Sequence, residues 1–463
     1  MTSSLLLISV FAAALLAVIF QMLPAAEKDT VSDGFCELEL STSNITGDCF
    51  FRNNYIAARE LFLQSAAAAG AELLFLQVVD GLGTDVAIIR GSDLGRKFLV
   101  HLSGIHGVEG YAGSAIQSAT LQYLGQQLKR NRDVQGIKDD AAIVNQDYPT
   151  MIFVHAVNPY GFMNNRRVNE NNVDINRNFL TEQQFIDVKK RDPNYAGYID
   201  FDGLINPKVQ ISKSVHVNDA VNIFRTLLAL GRHGLLALKK ALVSGNYHKQ
   251  EGVGFGGFEM SQSVKNLVEL VQGDSLGIPD AEQIVLVDVH TGLGPEGVDT
   301  IFTNPPSALK HFETEYDYGS AESDTGKKGT VTGGIHSGLP SRRMKESDAM
   351  SGYELTIGHT TVGFCESFLA QKLSKNRVTC MLQEIGTVSA VTVGRTMIAE
   401  NYAYSHGSEA EKALYTERYK QCFYVNTQKW KRNVVRRGLK VVLQSLALLG
   451  AQPDKLPEPF FQL

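Results

Sequence analysis

An α/β fold, with a mostly parallel, twisted central sheet and helices on both faces, is what this sequence predicts, on three observations. Four short runs, at residues 98–102, 152–156, 284–289 and 378–382, are apolar at nearly every position. Segments with helical spacing of apolar residues lie between them. Polar clusters rich in glycine follow the runs, as they do at strand ends in sheets of this class. A strand that is apolar on both faces belongs inside a covered sheet, whereas a half-exposed strand alternates.

Taken in order, the chain opens with a segment, residues 5–20, whose single polar residue is Ser9. Residues 1–26 read as a targeting segment. It is either a signal peptide cleaved near Pro24-Ala25-Ala26 or an uncleaved anchor, and no Lys or Arg precedes it to set an orientation. Residues 27–50 form a polar linker with a glycosylation acceptor, Asn44-Ile45-Thr46, and with Cys36 and Cys49, which a disulfide could join. Cys365 and Cys380 read instead as buried thiols. These features place the catalytic part in the secretory pathway, secreted or attached to a membrane with that part lumenal or extracellular.

The folded domain, residues 51–450, begins with helical spacing at Ala57, Leu61, Phe62 and Ala66 and an alanine run ending at Gly70. Its strands are the four apolar runs. Between the second and third lies an insertion at about residues 187–274, with a helical run at 217–243 and a glycine-rich turn at 252–257, placed to shape the rim of a site. A last helix at about 409–449 carries Lys429, Lys431, Arg432, Arg436 and Arg437 on one side, read as a solvated face. Residues 451–463 are a tail. With 20% charged residues and a net charge of -5, the chain lacks the basic stripe of a nucleic-acid binder.

Chemistry concentrates where the runs end. The first leads into His106-Gly107-Val108-Glu109, in which an imidazole and a carboxylate three residues apart can be aimed at one cation. Both donors suit Zn²⁺. A His-x-x-Glu string also arises by chance, so a third ligand is needed. The third run supplies it in Asp288-Val289-His290-Thr291-Gly292. Two histidines and a glutamate, with the fourth position left to water, are the pattern of a catalytic zinc site, whereas structural sites close the shell, usually with cysteines. His101 and His155, set within or near the end of apolar runs, read as core histidines.

Glu384 follows the fourth run in an otherwise apolar stretch. Burying an unpaired carboxylate is costly, so it either has a partner or handles a proton. After the second run come Asn158-Pro159-Tyr160-Gly161, Asn165-Arg166-Arg167 and Asp174-Ile175-Asn176-Arg177. Arg177 can grip a carboxylate through two parallel hydrogen bonds, with Asn176 adding a donor. Arg166 or Arg167 can support negative charge growing on a carbonyl oxygen. The plainer reading is a loop stitched together by its own Asn and Arg side chains.

In this order the clusters resemble the zinc carboxypeptidase superfamily, which includes carboxypeptidase A and the succinylglutamate desuccinylase and aspartoacylase branch. The resemblance implies that His106, Glu109 and His290 ligate one Zn²⁺, that Asp174 orients His106, and that Asn176 with Arg177 holds a substrate carboxylate. It further implies that Glu384 moves the proton and that Arg167 supports the oxyanion. The glycine-rich stretch at 245–257 and His290-Thr291-Gly292-Leu293-Gly294 are closer to an uncharacterised branch, a domain of unknown function. Val108 stands where the superfamily has an auxiliary arginine, and Tyr353 is the candidate for its peptide-capping tyrosine. The implied activity is hydrolysis of an amide bond beside a free carboxylate, on a peptide or an N-acyl amino acid. A non-catalytic peptide or ligand receptor on the same fold is the alternative. A serine hydrolase, which needs a Gly-x-Ser-x-Gly elbow between strand and helix, ranks last.

Overall fold

The computed structural model describes residues 47–91, 94–135, 148–208, 215–312, 355–371, 373 and 377–451. The N-terminal apolar segment, Cys36, the Asn44 acceptor, Tyr353 and the tail beyond 451 lie outside the described residues. Cys49 is disulfide-bonded.

Seven strands form one sheet: β1 (Glu72–Val79), β2 (Leu82–Ile89), β3 (Leu94–Leu102), β4 (Pro149–His155), β5 (Gln283–Gly292), β6 (Asp299–Asn304) and β7 (Val378–Gly386). Their spatial order is β1-β2-β4-β3-β5-β7-β6. The four strands expected from the apolar runs are the neighbouring β4, β3, β5 and β7, all mutually parallel. Antiparallel partners flank them, β2 and then β1 on one side and β6 on the other.

The helices are α1 (Tyr55–Ala68), α2 (Gly110–Gln135), α3 (Pro159–Met163), α4 (Glu182–Lys190), α5 (Asp202–Ile205) and α6 (Val215–His233). They continue with α7 (Leu235–Val243), α8 (Gln262–Gln272), α9 (Ala390–His406), α10 (Glu409–Phe423) and α11 (Gln428–Leu448). A π-helical segment, Thr360–Leu369, precedes β7.

Side chains alternate across a strand, so each central strand feeds two cores. Leu99, Phe153, Val285 and Met381 pack into one core beneath α1, α2 and α11. Phe98, Val100, Ile152, Leu286 and Cys380 pack into the other, beneath α8 and the π-helical segment. Both faces being covered is why these strands are apolar throughout. On the second face Cys365 and Cys380 are not free thiols, as expected, but form a disulfide with a Cα–Cα separation of 6.3 Å. It ties the π-helical segment to β7.

Three further expectations change. The β1–β2 hairpin was not expected, because Leu73 and Phe75 on the outer strand are 46% and 52% exposed and blur the alternation. The signal was in the turn: Asp80-Gly81, with Gly81 at φ +74°, is a strong hairpin dipeptide. The helical run at 217–243 is two helices, broken at Gly234 with φ +82°. The last helix is also two, α10 and α11, and its basic side is not all solvated. Lys431 and Arg437 are buried, Arg437 paired with Asp299 and Lys431 set over the rings of Phe51 and Tyr424.

Candidate metal centre

His106, Glu109, His290 and Glu384 sit at or just beyond the C-terminal ends of parallel strands, where that edge of an α/β sheet opens, and Arg167, Asp174, Asn176 and Arg177 come from the long loop after β4. β3 ends at Leu102 and the chain turns through His106 into a short 3₁₀ turn, Gly107–Glu109. This turn is clamped to the loop after β4: Gly107 N–H donates to the Arg167 carbonyl (3.3 Å) and Val108 N–H to the Arg166 carbonyl (2.8 Å). A Cβ on Gly107 would lie 2.0 Å from the Gly161 backbone, so glycine is what lets the two loops meet.

On β5, Asp288 and His290 are two apart and share a face. In register, His290 stands opposite Glu384 of β7.

His106, Glu109 and His290, all buried, bring their ligand atoms within 4.8 Å of one another. Glu109 Oε1 is 2.8 Å from His106 Nδ1, its Oε2 is 2.9 Å from His290 Nδ1, and the two Nδ1 atoms are 3.1 Å apart. The other ring nitrogens are committed elsewhere: His106 Nε2–H donates to Asp174 (3.2 Å) and His290 Nε2–H to Asp288 (2.7 Å). Carboxylates can only accept, so in the neutral imidazoles both Nδ1 atoms are left as the acceptor nitrogens, facing each other and Glu109. Two such nitrogens and a carboxylate in a buried space favour positive charge between them, carried by a proton or by a metal ion. Separations near 3 Å are also what bonds of about 2 Å to one centre require. The residues present therefore fit a divalent ion of the zinc type.

The surrounding carboxylates likewise favour positive charge at this point. Burial works against the charge on Glu109, yet His106 and His290 hold its carboxyl well below the usual range. Asp174 is likewise held low despite burial, chiefly by Arg167. Burial opposes the imidazolium of His290, but Asp288 and Glu109 outweigh it and raise its pKa well above 6.5. Glu384 goes the other way: burial first, then the Glu109 charge, push it up to about 7, with His290 and the Leu293 N–H (2.8 Å) pulling back.

The two candidate arginines are separated by the fold. Arg166 points away from the centre, with its guanidinium on Glu400 (2.6 Å) and Asn172 (3.1 Å) and stacked over Tyr404. Arg167 reaches the centre, with Nε on Asp174 (2.9 Å) and Nη1 on Glu109 (3.3 Å). Arg177 lines the same cavity, braced by the carbonyls of Val243 (2.8 Å) and Asn176 (2.6 Å). Asn176 turns its Oδ1 to the Thr360 N–H (2.9 Å).

Two residues at the site were not anticipated. Asp288 had a signal, two residues before a histidine on one strand face. His359, which lines the cavity and is held neutral by burial with its pKa down to about 4, had none, because the loop around 355–360 shows no periodicity. Gly273-Asp274-Ser275-Leu276-Gly277 does spell Gly-x-Ser-x-Gly, but it follows helix α8 and forms a 3₁₀ turn, so it is not a strand-to-helix elbow.

Fold and site together define an α/β protein with a His–Glu–His centre suited to one divalent ion at the open edge of its sheet. The chain belongs to the family described as "Protein of unknown function (DUF2817)", whose model matches residues 51–437. The resemblance to an uncharacterised branch is thereby borne out. Among solved structures, the chain is similar at 12% identity to a candidate metallopeptidase from Shewanella denitrificans, with 83% of this chain and 100% of that one covered and a TM-score of 0.32. A candidate carboxypeptidase from Burkholderia mallei is similar at 11% identity, with 78% and 68% covered and a TM-score of 0.33. A candidate succinylglutamate desuccinylase/aspartoacylase from Shewanella frigidimarina is similar at 12% identity, with 73% and 71% covered and a TM-score of 0.25. Comparison with curated proteins finds no match.

Proposed function

We propose that this protein is a zinc-dependent hydrolase that cleaves an amide bond beside a free carboxylate, on a peptide or an N-acyl amino acid. One observation carries the reading: two imidazole nitrogens and a carboxylate converge in a buried space, with Glu384 on the adjoining strand. When bound, the ion would polarise the substrate carbonyl and lower the pKa of a water toward about 7.

The chain's own groups supply the rest. Asp174 and Asp288 fix the ring orientation and tautomer of the two histidines. Glu384, with a pKa near neutrality, takes a proton from the attacking water and returns it to the leaving nitrogen. Arg167 adds positive charge beside the reacting carbonyl. Arg177, braced by two carbonyls, faces the substrate carboxylate, and Asn176 stands next to it. The Cys365–Cys380 disulfide, together with the N-terminal apolar segment and the Asn44 acceptor, supports a secretory setting with this domain lumenal or extracellular, and the apolar segment is a candidate membrane attachment.

The test is hydrolysis of peptides with free and amidated C-termini, and of N-acyl amino acids, with chelator and after Zn²⁺ is restored. Activity should need the metal and the free carboxylate. Glu384→Gln should lower kcat by about 10²–10⁴-fold with zinc content unchanged. Undiminished turnover in that variant, or in chelator, would sink the reading, and bound zinc without any turnover would leave a receptor.

A further inference from the structure

We infer that the substrate of this site is an N-acyl amino acid whose acyl group is a medium or long aliphatic chain, bound against the inserted helices. The inference rests on the function proposed above and names the substrate that the cavity selects. The metal centre opens into a cavity of about 390 Å³. Around the centre its walls are polar and charged, with Arg177 and Asn176 among them. The helices that line the rest of it are mainly aliphatic there, with Leu230 of α6, Leu235, Leu238 and Leu242 of α7 and Ile398 of α9, and with Thr226, Lys239 and Arg395 as the polar exceptions.

The chemistry of that wall decides between the two substrate classes. A peptide brings an N–H and a C=O at every residue, and each must find a partner when removed from water. The aliphatic stretch has few groups to meet them, whereas a methylene chain needs none. Leu235 at the cavity wall is 60% exposed, so the aliphatic surface reaches solvent there. A substrate with a carboxylate head and an aliphatic tail matches a site with Arg177 at one end and this surface at the other.

Binding of butanoyl-, hexanoyl-, octanoyl- and decanoylglycine to the full chain, measured by calorimetry beside turnover of the same compounds, tests this. Affinity should rise by at least about fivefold for each two methylenes added, since each buried methylene favours transfer from water. Leu235→Asp, at a position exposed enough to leave folding intact, should compress the decanoyl-to-butanoyl ratio by about tenfold or more with the melting temperature unchanged. The N-terminal apolar segment is the same in both proteins, so their difference reports the cavity. A flat affinity series overturns the inference. So does an unaltered ratio in Leu235→Asp, or tighter binding of apolar peptides than of decanoylglycine. Chain-length-dependent binding without turnover would uphold the acyl site and defeat the hydrolase reading instead.

Discussion

Asp288 bears on the centre through a single contact with His290. It accepts the Nε2–H of His290 at 2.7 Å and so leaves Nδ1 as the ring nitrogen that faces the centre. In Asp288→Asn the amide can turn its NH₂ toward that nitrogen and favour the opposite tautomer. Zinc affinity should then fall about 10–100-fold, read by competition with a chromophoric chelator, while the melting temperature of the metal-free protein changes little. An unchanged affinity would mean that Asp288 does not set the tautomer. Arg166 and Arg167 make the complementary point. They are adjacent in the chain and chemically identical, and only the packing of Arg166 under Tyr404 and onto Glu400 leaves Arg167 to face the centre.

At the scale of elements, the centre depends on two loops held in contact. The turn bearing His106 and Glu109 is hydrogen-bonded to the backbone of Arg166 and Arg167, and the approach is close enough that Gly107 has no room for a methyl group. Gly107→Ala should therefore push the turn away from the loop after β4. The expected result is loss of zinc binding by about 10²-fold or more, with a secondary-structure spectrum like that of the native protein, because the turn is outside the sheet. Native zinc affinity in that variant would show that the loops can part without moving the ligands. The insertion has a different part at this scale. Its two helices break at Gly234 and turn leucines toward the cavity, so the rim of the site is built from a segment whose described residues add no strand to the main sheet.

The whole molecule couples stability to pH through histidines buried in its core. His101 has its pKa lowered to about 4 and His155 to about 3, both mainly by burial. Unfolded, each would titrate near 6.5. Above that value neither state binds the proton and nothing changes. As the pH falls below it, the unfolded chain gains protons that the folded protein refuses, so stability is lost progressively down to about pH 3–4. The melting temperature should decline between pH 6.5 and 4, and His155→Phe, which keeps the ring stacked on Phe62, should flatten that decline. An equal slope in the variant would show that His155 does not carry the effect.

How much of this was legible beforehand follows from what kind of signal each part leaves. The four parallel strands were readable because burial on both faces demands apolar residues at every position, a constraint written directly into the chain. His106, Glu109, His290 and Glu384 stood out because charged groups at the ends of such strands are costly unless they are used. By contrast, β1 and β6 are sheet edges with little demand on composition. The breaks at Gly234 and between α10 and α11 are single local events inside helical patterns.

What the sequence determined by itself is therefore the covered sheet and the identity of the groups at its open edge, because both depend on transfer from water and leave a local trace. Only the tertiary structure decided that Arg166 turns away from the centre, that Asp288 holds His290, that Cys365 pairs with Cys380, and that the insertion lines the cavity with leucine. Those are relations between side chains. They are set by the direction of a side chain and the meeting of two surfaces, which periodicity along one strand of sequence does not encode.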